Sequence, residues 1–330
     1  MTKAAIIGIA GPALAPAEAA LFREHPPAGV ILFARNIREP AQLALLVADL
    51  RRCLPREAVL MVDQEGGRVA RLRPPHWRAH PPAGRIGVLY AADPLAGLRA
   101  AWLTGALIGA DCMAAGFDVA CAPVLDLRLD GMDQVVGDRG FAAEPQAVAR
   151  LGRAMAAGLL AAGIQPIGKH APGHGRARVD SHTALPVVHA NDLAADLVPF
   201  ARNADLPWMM TAHIVYPALD PDRPATLSPT VLEGWVRART GFAGLLVSDD
   251  LAMGALSGAP ADRAKGALAA GCDIALYCPG DGATAGVLAA VPPLSALAAG
   301  RLRAAAALAA QRRRPLDGPA MEAERAALLA

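Results

Sequence analysis

The sequence predicts an α/β protein built as one (β/α)8 barrel domain spanning residues 1–330. Three observations carry the prediction. First, eight short, continuous apolar runs recur, at residues 4–9, 29–33, 59–62, 117–120, 164–167, 208–211, 244–247 and 272–276. Runs of this kind, without apolar/polar alternation, are the mark of strands covered on both faces. Second, longer Ala/Leu/Arg-rich segments with helical spacing lie between them, clearest at 40–53, 98–115, 145–162, 191–202 and 229–240. Third, polar groups follow strand after strand. Asp63-Gln64-Glu65 follows the third run, Asp126 lies just beyond the fourth, Lys169-His170 follows the fifth, His213 the sixth and Asp249-Asp250 the seventh. Groups from so many strand ends converge only if those ends share one face, as at a barrel's C-terminal rim. The alternative is an open doubly wound sheet, but no GxGxxG opens a helix after an early strand.

In chain order, residues 1–19 carry a lysine, a short apolar run and small residues, a faint likeness to a signal peptide. Pro12 ends that run, and the same residues serve as the first strand, so a cytoplasmic location is expected. Pro40, Pro145 and Pro229 stand at or near first helical turns, where a missing N–H costs little. Asn191 is a candidate N-cap, and Gly116, Gly163, Gly241 and Gly271 sit where helices should stop. The uncharged stretch 282–300 is broken by Pro292 and Pro293, which favours two short segments over a membrane helix. The residues after the last strand should supply a closing helix and a C-terminal helix ending near Ala330.

Composition narrows the function classes. At 54% hydrophobic but only 4% aromatic, the chain draws its core from alanine and branched aliphatics. A net charge of +2, from 32 basic and 30 acidic residues, gives no electrostatic case for nucleic acid or an anionic membrane. The five cysteines form no CxxC pair and read as free thiols of a reducing compartment.

One stretch organises the rest. Residues 169–182, KHAPGHGRARVDSH, place three histidines, a lysine and an aspartate on a Gly/Pro-rich segment after the fifth run. A core element does not tolerate that polarity without partners, whereas a strand-end loop of an α/β enzyme uses it. Asp249 ends an apolar strand at the rim, as a nucleophilic carboxylate would. A helix N-cap or structural ion pair is its plainer reading, and one that suits Asp250 better. His182 offers an imidazole suited to proton transfer near neutrality, with Asp180 two residues earlier to fix its tautomer. Glu65, in an EGG turn, could simply order its loop.

The residues also resemble a known family, the bacterial β-N-acetylglucosaminidases of glycoside hydrolase family 3, in the short cytoplasmic form used in cell-wall recycling. The resemblance rests on VDQEGGRVARLR at 62–73, VLDL at 124–127, VVGDRGF at 135–141, KHAPGHG…DSH at 169–182, MTAHIVYP at 210–217 and VSDDLAMGAL at 247–256. These motifs span most of the chain in family order. The resemblance implies a retaining exo-glycosidase with Asp249 as nucleophile and Asp180–His182 as acid/base dyad. It assigns the terminal sugar to Asp63, Arg71, Arg139, Lys169 and His170, and it implies no metal and no cofactor. The substrate class is GlcNAc linked to N-acetylmuramyl or 1,6-anhydro-muramyl peptides, with no nucleic acid, membrane or obligate protein partner. Arg71 could instead be surface charge, and Arg139 a structural partner of Asp138 or Asp126. Arg68, His174 and His213 are weaker candidates, and His25, His76, His80 and His189 receive no role. Ala171 stands where the family carries a bulky aromatic, which predicts a looser loop.

Two rival functions fit the same residue types. A metal-dependent hydrolase could use His170, His174, His182, His213, Asp180 and Asp249, though the cations at the same rim oppose it. A non-catalytic sugar-binding protein is the other.

Overall fold

The computed structural model describes residues 1–130, 136–181, 184–189 and 193–330. The eight predicted apolar runs are the eight barrel strands: β1 (Lys3–Gly8), β2 (Pro27–Leu32), β3 (Val59–Val62), β4 (Val119–Ala120), β5 (Gln165–Ala171), β6 (Trp208–Thr211), β7 (Leu245–Asp250) and β8 (Ile274–Tyr277). Each pairs in parallel with its neighbours in sequence, and β8 closes on β1 with Ala5 opposite Ala275. The continuous apolar runs are explained by burial on both faces. Along β3, Val59 and Met61 join the barrel interior while Leu60 and Val62 pack outward under the helices. Leu245 and Val247 of β7 likewise point inward, and Leu246 outward.

The helices follow their punctuation. Pro40–Cys53 and Pro145–Ala162 begin on the predicted prolines, and Gly163 ends the second at φ +89°. The segment expected at 98–115 starts earlier, at Pro94, because Asp93 caps it by accepting from the Leu95 and Ala96 N–H groups. A helix at Ala83–Ala92, which the sequence reading passed over, precedes it. The helix expected from residue 191 is described from Ala194, and Asn191 lies outside the described residues. The stretch 282–300 enters two separate helices, Thr284–Ala290 and Ala296–Arg312. No described helix is long and apolar enough to cross a membrane.

The C-terminal helix, Gly318–Leu328, docks through a buried polar cluster. Arg325 donates to His80 Nδ1 at 2.9 Å, so the ring's Nε2–H is left to donate to Asp111, 3.0 Å away. His80, given no role from sequence, is a structural histidine: it ties the loop before Ala83 to both the chain end and the helix Pro94–Ala114. All five cysteines are free and buried.

Two irregularities in the ladder matter for function. Between β5 and β6 the register passes from Gly168↔Met209 to Ala171↔Thr211, one extra residue on β5. Between β7 and β8 it passes from Val247↔Ile274 to Asp250↔Leu276, one extra residue on β7. Bulges of this kind re-aim side chains beside active sites. Here they fall on the segments that carry Lys169-His170 and Asp249. Strand β5 also runs past the apolar run 164–167 to Ala171, which is fully buried with its carbonyl accepting from Ala212 N–H. Ala171 therefore belongs to the strand, before the loop begins.

Candidate active site

The strand ends enclose a cavity of about 120 Å³, which opens to solvent at the rim. Asp63, Arg71, Arg139, Lys169, His170 and Asp249 all line it, together with His174, Ser181 and Asp250. Six of the eight residues singled out from the sequence thus meet in one place. Asp180 is partly buried on the loop beside it. His182 lies outside the described residues, but Ser181, immediately before it, is a buried pocket wall held by Ala255 N–H to its carbonyl at 3.2 Å.

The side made by β3, β4 and β5 is a set of interlocked ions. Alternation along Asp63-Gln64-Glu65 turns both carboxylates toward Lys169, while Gln64 turns away and pins the loop through the Arg71 and Leu72 N–H groups. Lys169 Nζ, 3% exposed, lies 2.8 Å from Asp63 and 2.6 Å from Glu65. Arg71 donates to Asp63 at 2.6 Å, and Arg139 grips both Glu65 oxygens at 2.8 Å. Arg71 is therefore not loose surface charge, and Arg139 pairs with Glu65 rather than with Asp138 or Asp126. Arg68 takes Asp138 instead, at 3.0 Å on the surface. Burial alone would raise the Asp63 and Glu65 carboxyls, but the surrounding cations hold both below the usual range. Both stay ionised and cannot deliver a proton.

Asp126, named from sequence as a strand-end group and a possible partner of Arg139, is the anchor of β5. Its Oδ2 meets His170 Nδ1 at 2.6 Å, and its Oδ1 accepts the His170 and His174 backbone N–H groups at 3.1 and 2.7 Å. Burial works against its charge, yet the histidines bring the carboxyl down to about 2. His174 meets Ser181 Oγ at 3.1 Å, and its Nδ1 is buried without a partner among the described residues. Burial pushes its imidazole down to about 4. Both histidines left open by the sequence are thus buried parts of the frame, since His213 is bonded through both ring nitrogens.

The side made by β6, β7 and β8 is different. Asp249 has no salt bridge among the described residues. Its Oδ1 accepts the Asp250 N–H at 2.8 Å, and no described group bonds its Oδ2. Burial raises the Asp249 carboxyl, but His170, the Asp250 N–H and Lys169 help to outweigh this and keep it ionised. Asp250 Oδ1 caps the turn, accepting from Ala252 and Cys278 N–H groups at 3.0 Å. Met210, Met253, Leu276 and Cys278 complete this wall, and Phe33 faces it beside Arg71, whose guanidinium carbon lies 5.5 Å from the ring centroid. These apolar lining residues escaped the sequence reading because an apolar residue at a strand end looks like core. No group of three or more His, Cys, Asp or Glu among the described residues is arranged to hold a metal ion.

A (β/α)8 barrel whose rim holds an ionised carboxylate, unpaired among the described residues, opposite a cage of ionic groups able to bond hydroxyls has the features of a glycoside hydrolase. Comparison with known proteins narrows this. Residues 7–313 match the glycosyl hydrolase family 3 N terminal domain. The chain is 39% identical over 280 residues to a beta-hexosaminidase of Bordetella avium, covering 83% of this chain and 79% of that one. It is 40% identical over 294 residues to a beta-hexosaminidase of Alkalilimnicola ehrlichii, covering 87% and 84%. The structure of NagZ from Neisseria gonorrhoeae in complex with N-trifluoroacetyl-D-glucosamine superposes with a TM-score of 0.88 at 32% identity, covering 100% of this chain and 98% of that one. The chain belongs to glycosyl hydrolase family 3, and its activity is that of a β-N-acetylhexosaminidase.

Proposed function

We propose that this enzyme removes terminal N-acetylglucosamine from muropeptides in cytoplasmic peptidoglycan recycling, with retention of configuration. The observation that carries the catalytic reading is the state of Asp249: ionised, turned by one backbone N–H and, among the described residues, left open at Oδ2. That oxygen attacks the anomeric carbon while His182, oriented by Asp180, protonates the departing oxygen. The bond from Asp249 to the sugar forms as the glycosidic bond breaks. In the second step His182 takes a proton from water, which attacks the ester and frees Asp249. Asp63, Arg71, Lys169, Arg139 and His170 hold the sugar, the carboxylate accepting from hydroxyls and the cations donating to their oxygens.

The state of three neighbouring groups supports the imidazole. Asp63 and Glu65 are held ionised, and both nitrogens of His213 are bonded within the protein. One second reading has an observation of its own. His170 is backed by Asp126 at 2.6 Å, the same carboxylate–imidazole pairing expected of Asp180 and His182. Turnover of GlcNAc-1,6-anhydro-muramyl peptide alongside an aryl N-acetylglucosaminide tests the substrate; release of GlcNAc from the aryl compound alone would remove the recycling role. Likeness to an N-trifluoroacetyl-glucosamine complex supports the sugar, and the curated beta-hexosaminidase relatives support the bond cleaved.

A further inference from the structure

Behind the proposed nucleophile lies a closed chain of buried hydrogen bonds that no part of the catalytic reading uses. Thr211 ends β6, His213 follows it, and Thr226 comes from the segment after the antiparallel hairpin of Val215–Tyr216 and Asp220–Pro224. All three side chains are 0% exposed. The Asp249 N–H points to Thr211 Oγ1 at 3.4 Å, Thr211 Oγ1 lies 2.7 Å from Thr226 Oγ1, and Thr226 Oγ1 lies 2.8 Å from His213 Nδ1. His213 Nε2 then reaches the Asp250 carbonyl at 3.0 Å.

The protons can be assigned from the acceptors. A carbonyl only accepts, so His213 carries its hydrogen on Nε2. Burial holds the ring below its usual range and neutral, which leaves Nδ1 as an acceptor. Thr226 fills it, although the Ala212 carbonyl stands as a second acceptor 3.0 Å from the same hydroxyl. Thr226 oxygen in turn accepts from Thr211, and Thr211 oxygen from the Asp249 N–H. The chain therefore runs one way, leaving β7 at the backbone of Asp249 and returning at the carbonyl of Asp250. It grips the strand on both sides of the peptide whose N–H turns the Asp249 carboxylate. It does so with neutral groups, two hydroxyls and an imidazole.

We infer that Thr211, Thr226 and His213 form a positioning brace that fixes the direction of the Asp249 carboxylate, with His213 its principal member. The inference rests on Asp249 as nucleophile. An attacking oxygen displaced by about 1 Å costs on the order of 10²-fold, so the brace should be read in rate and not in affinity.

The test measures kcat/KM for a dinitrophenyl N-acetylglucosaminide and the dissociation constant of N-acetylglucosamine in four variants. His213→Leu should lower kcat/KM by about 10- to 100-fold with sugar affinity within about threefold of the parent. His213→Gln, whose amide N–H can still reach the Asp250 carbonyl, should recover most of the loss. Thr226→Val, nearly isosteric, should show a smaller fall of about three- to tenfold, and it decides the matter if His213→Leu does not fold. Unchanged rates in the Leu and Val variants, or sugar affinity falling in step with rate, would overturn the brace. Asp249→Ala separates the two ideas. If it stays active the nucleophile reading fails, whereas an inactive Asp249→Ala beside a fully active His213→Leu removes the brace alone.

Discussion

The two halves of the rim solve opposite problems. From β3 to β5, Asp63, Glu65, Arg71, Arg139 and Lys169 are bonded to one another before any sugar arrives. From β6 to β8, the one proposed reacting carboxylate is bonded, among the described residues, to a single N–H, beside methionines, a leucine and neutral hydrogen bonds. A cage that must recognise hydroxyls gains from fixed, fully charged groups, because little reorganisation remains to be done at binding. A nucleophile gains from the reverse, since a salt bridge to Asp249 would stabilise the electrons it must donate. On the proposed roles, this rim separates recognition from attack by strand, and the variants below should break one half without the other.

The largest expected effect is on the half that carries Asp249. Asp249→Ala should lower kcat on the order of 10⁴-fold or more, the scale for removing a covalent nucleophile, with N-acetylglucosamine still bound in titration calorimetry. Loss of binding together with rate would show that attack and recognition are not separated.

Next is the proton carrier. His182→Ala should slow cleavage of a natural disaccharide by on the order of 10²–10⁴. Formation of the glycosyl-enzyme from a dinitrophenyl glycoside, which leaves without help, should be far less affected, giving a burst and then a slow steady state. His170→Ala should weaken good and poor leaving groups alike, as a sugar contact does. The reverse pattern would transfer the acid role to the Asp126–His170 pair.

On the charged half, Lys169→Met strips Asp63 and Glu65 of their shared cation. Breaking a buried pair costs about 3–5 kcal/mol of stability, and denaturant melts should show it. Met210→Leu in the opposite wall, a volume-conserving change, should cost less than about 1.5 kcal/mol. Similar losses in both would contradict the contrast.

A further stability effect is in pH. His174 binds its proton near pH 4 when folded and near 6.5 when unfolded, because burial disfavours the charged ring. Between those values the unfolded chain holds more protons, so stability falls as pH drops from 6.5 towards 4, by about 3 kcal/mol in all. His174→Gln should flatten that part of the pH–stability curve; an unchanged slope would place the loss elsewhere.

Much of this was legible in the sequence, and the reasons are physical. Strands buried on both faces leave continuous apolar runs, so all eight appeared within a few residues of their place. Charged groups after those runs marked the rim, because nothing else explains a lysine such as Lys169 beyond a buried strand. What stayed hidden depended on pairing across long separations. Arg139 and Glu65 stand 74 residues apart, and no local signal joins them. The bulges at Lys169-His170 and Asp249 were equally invisible, since an inserted residue shows only against its partner strand. His80 looked like loop polarity until Arg325 arrived from the chain's far end.

The central claim is that Asp249 is the group that forms the covalent bond. A slow 2-deoxy-2-fluoro or 5-fluoro glycoside should trap the intermediate, and peptide mass spectrometry should find one glycosylated fragment with the sugar on Asp249. A label on any other residue, or inversion of the anomeric centre followed by NMR, would contradict it.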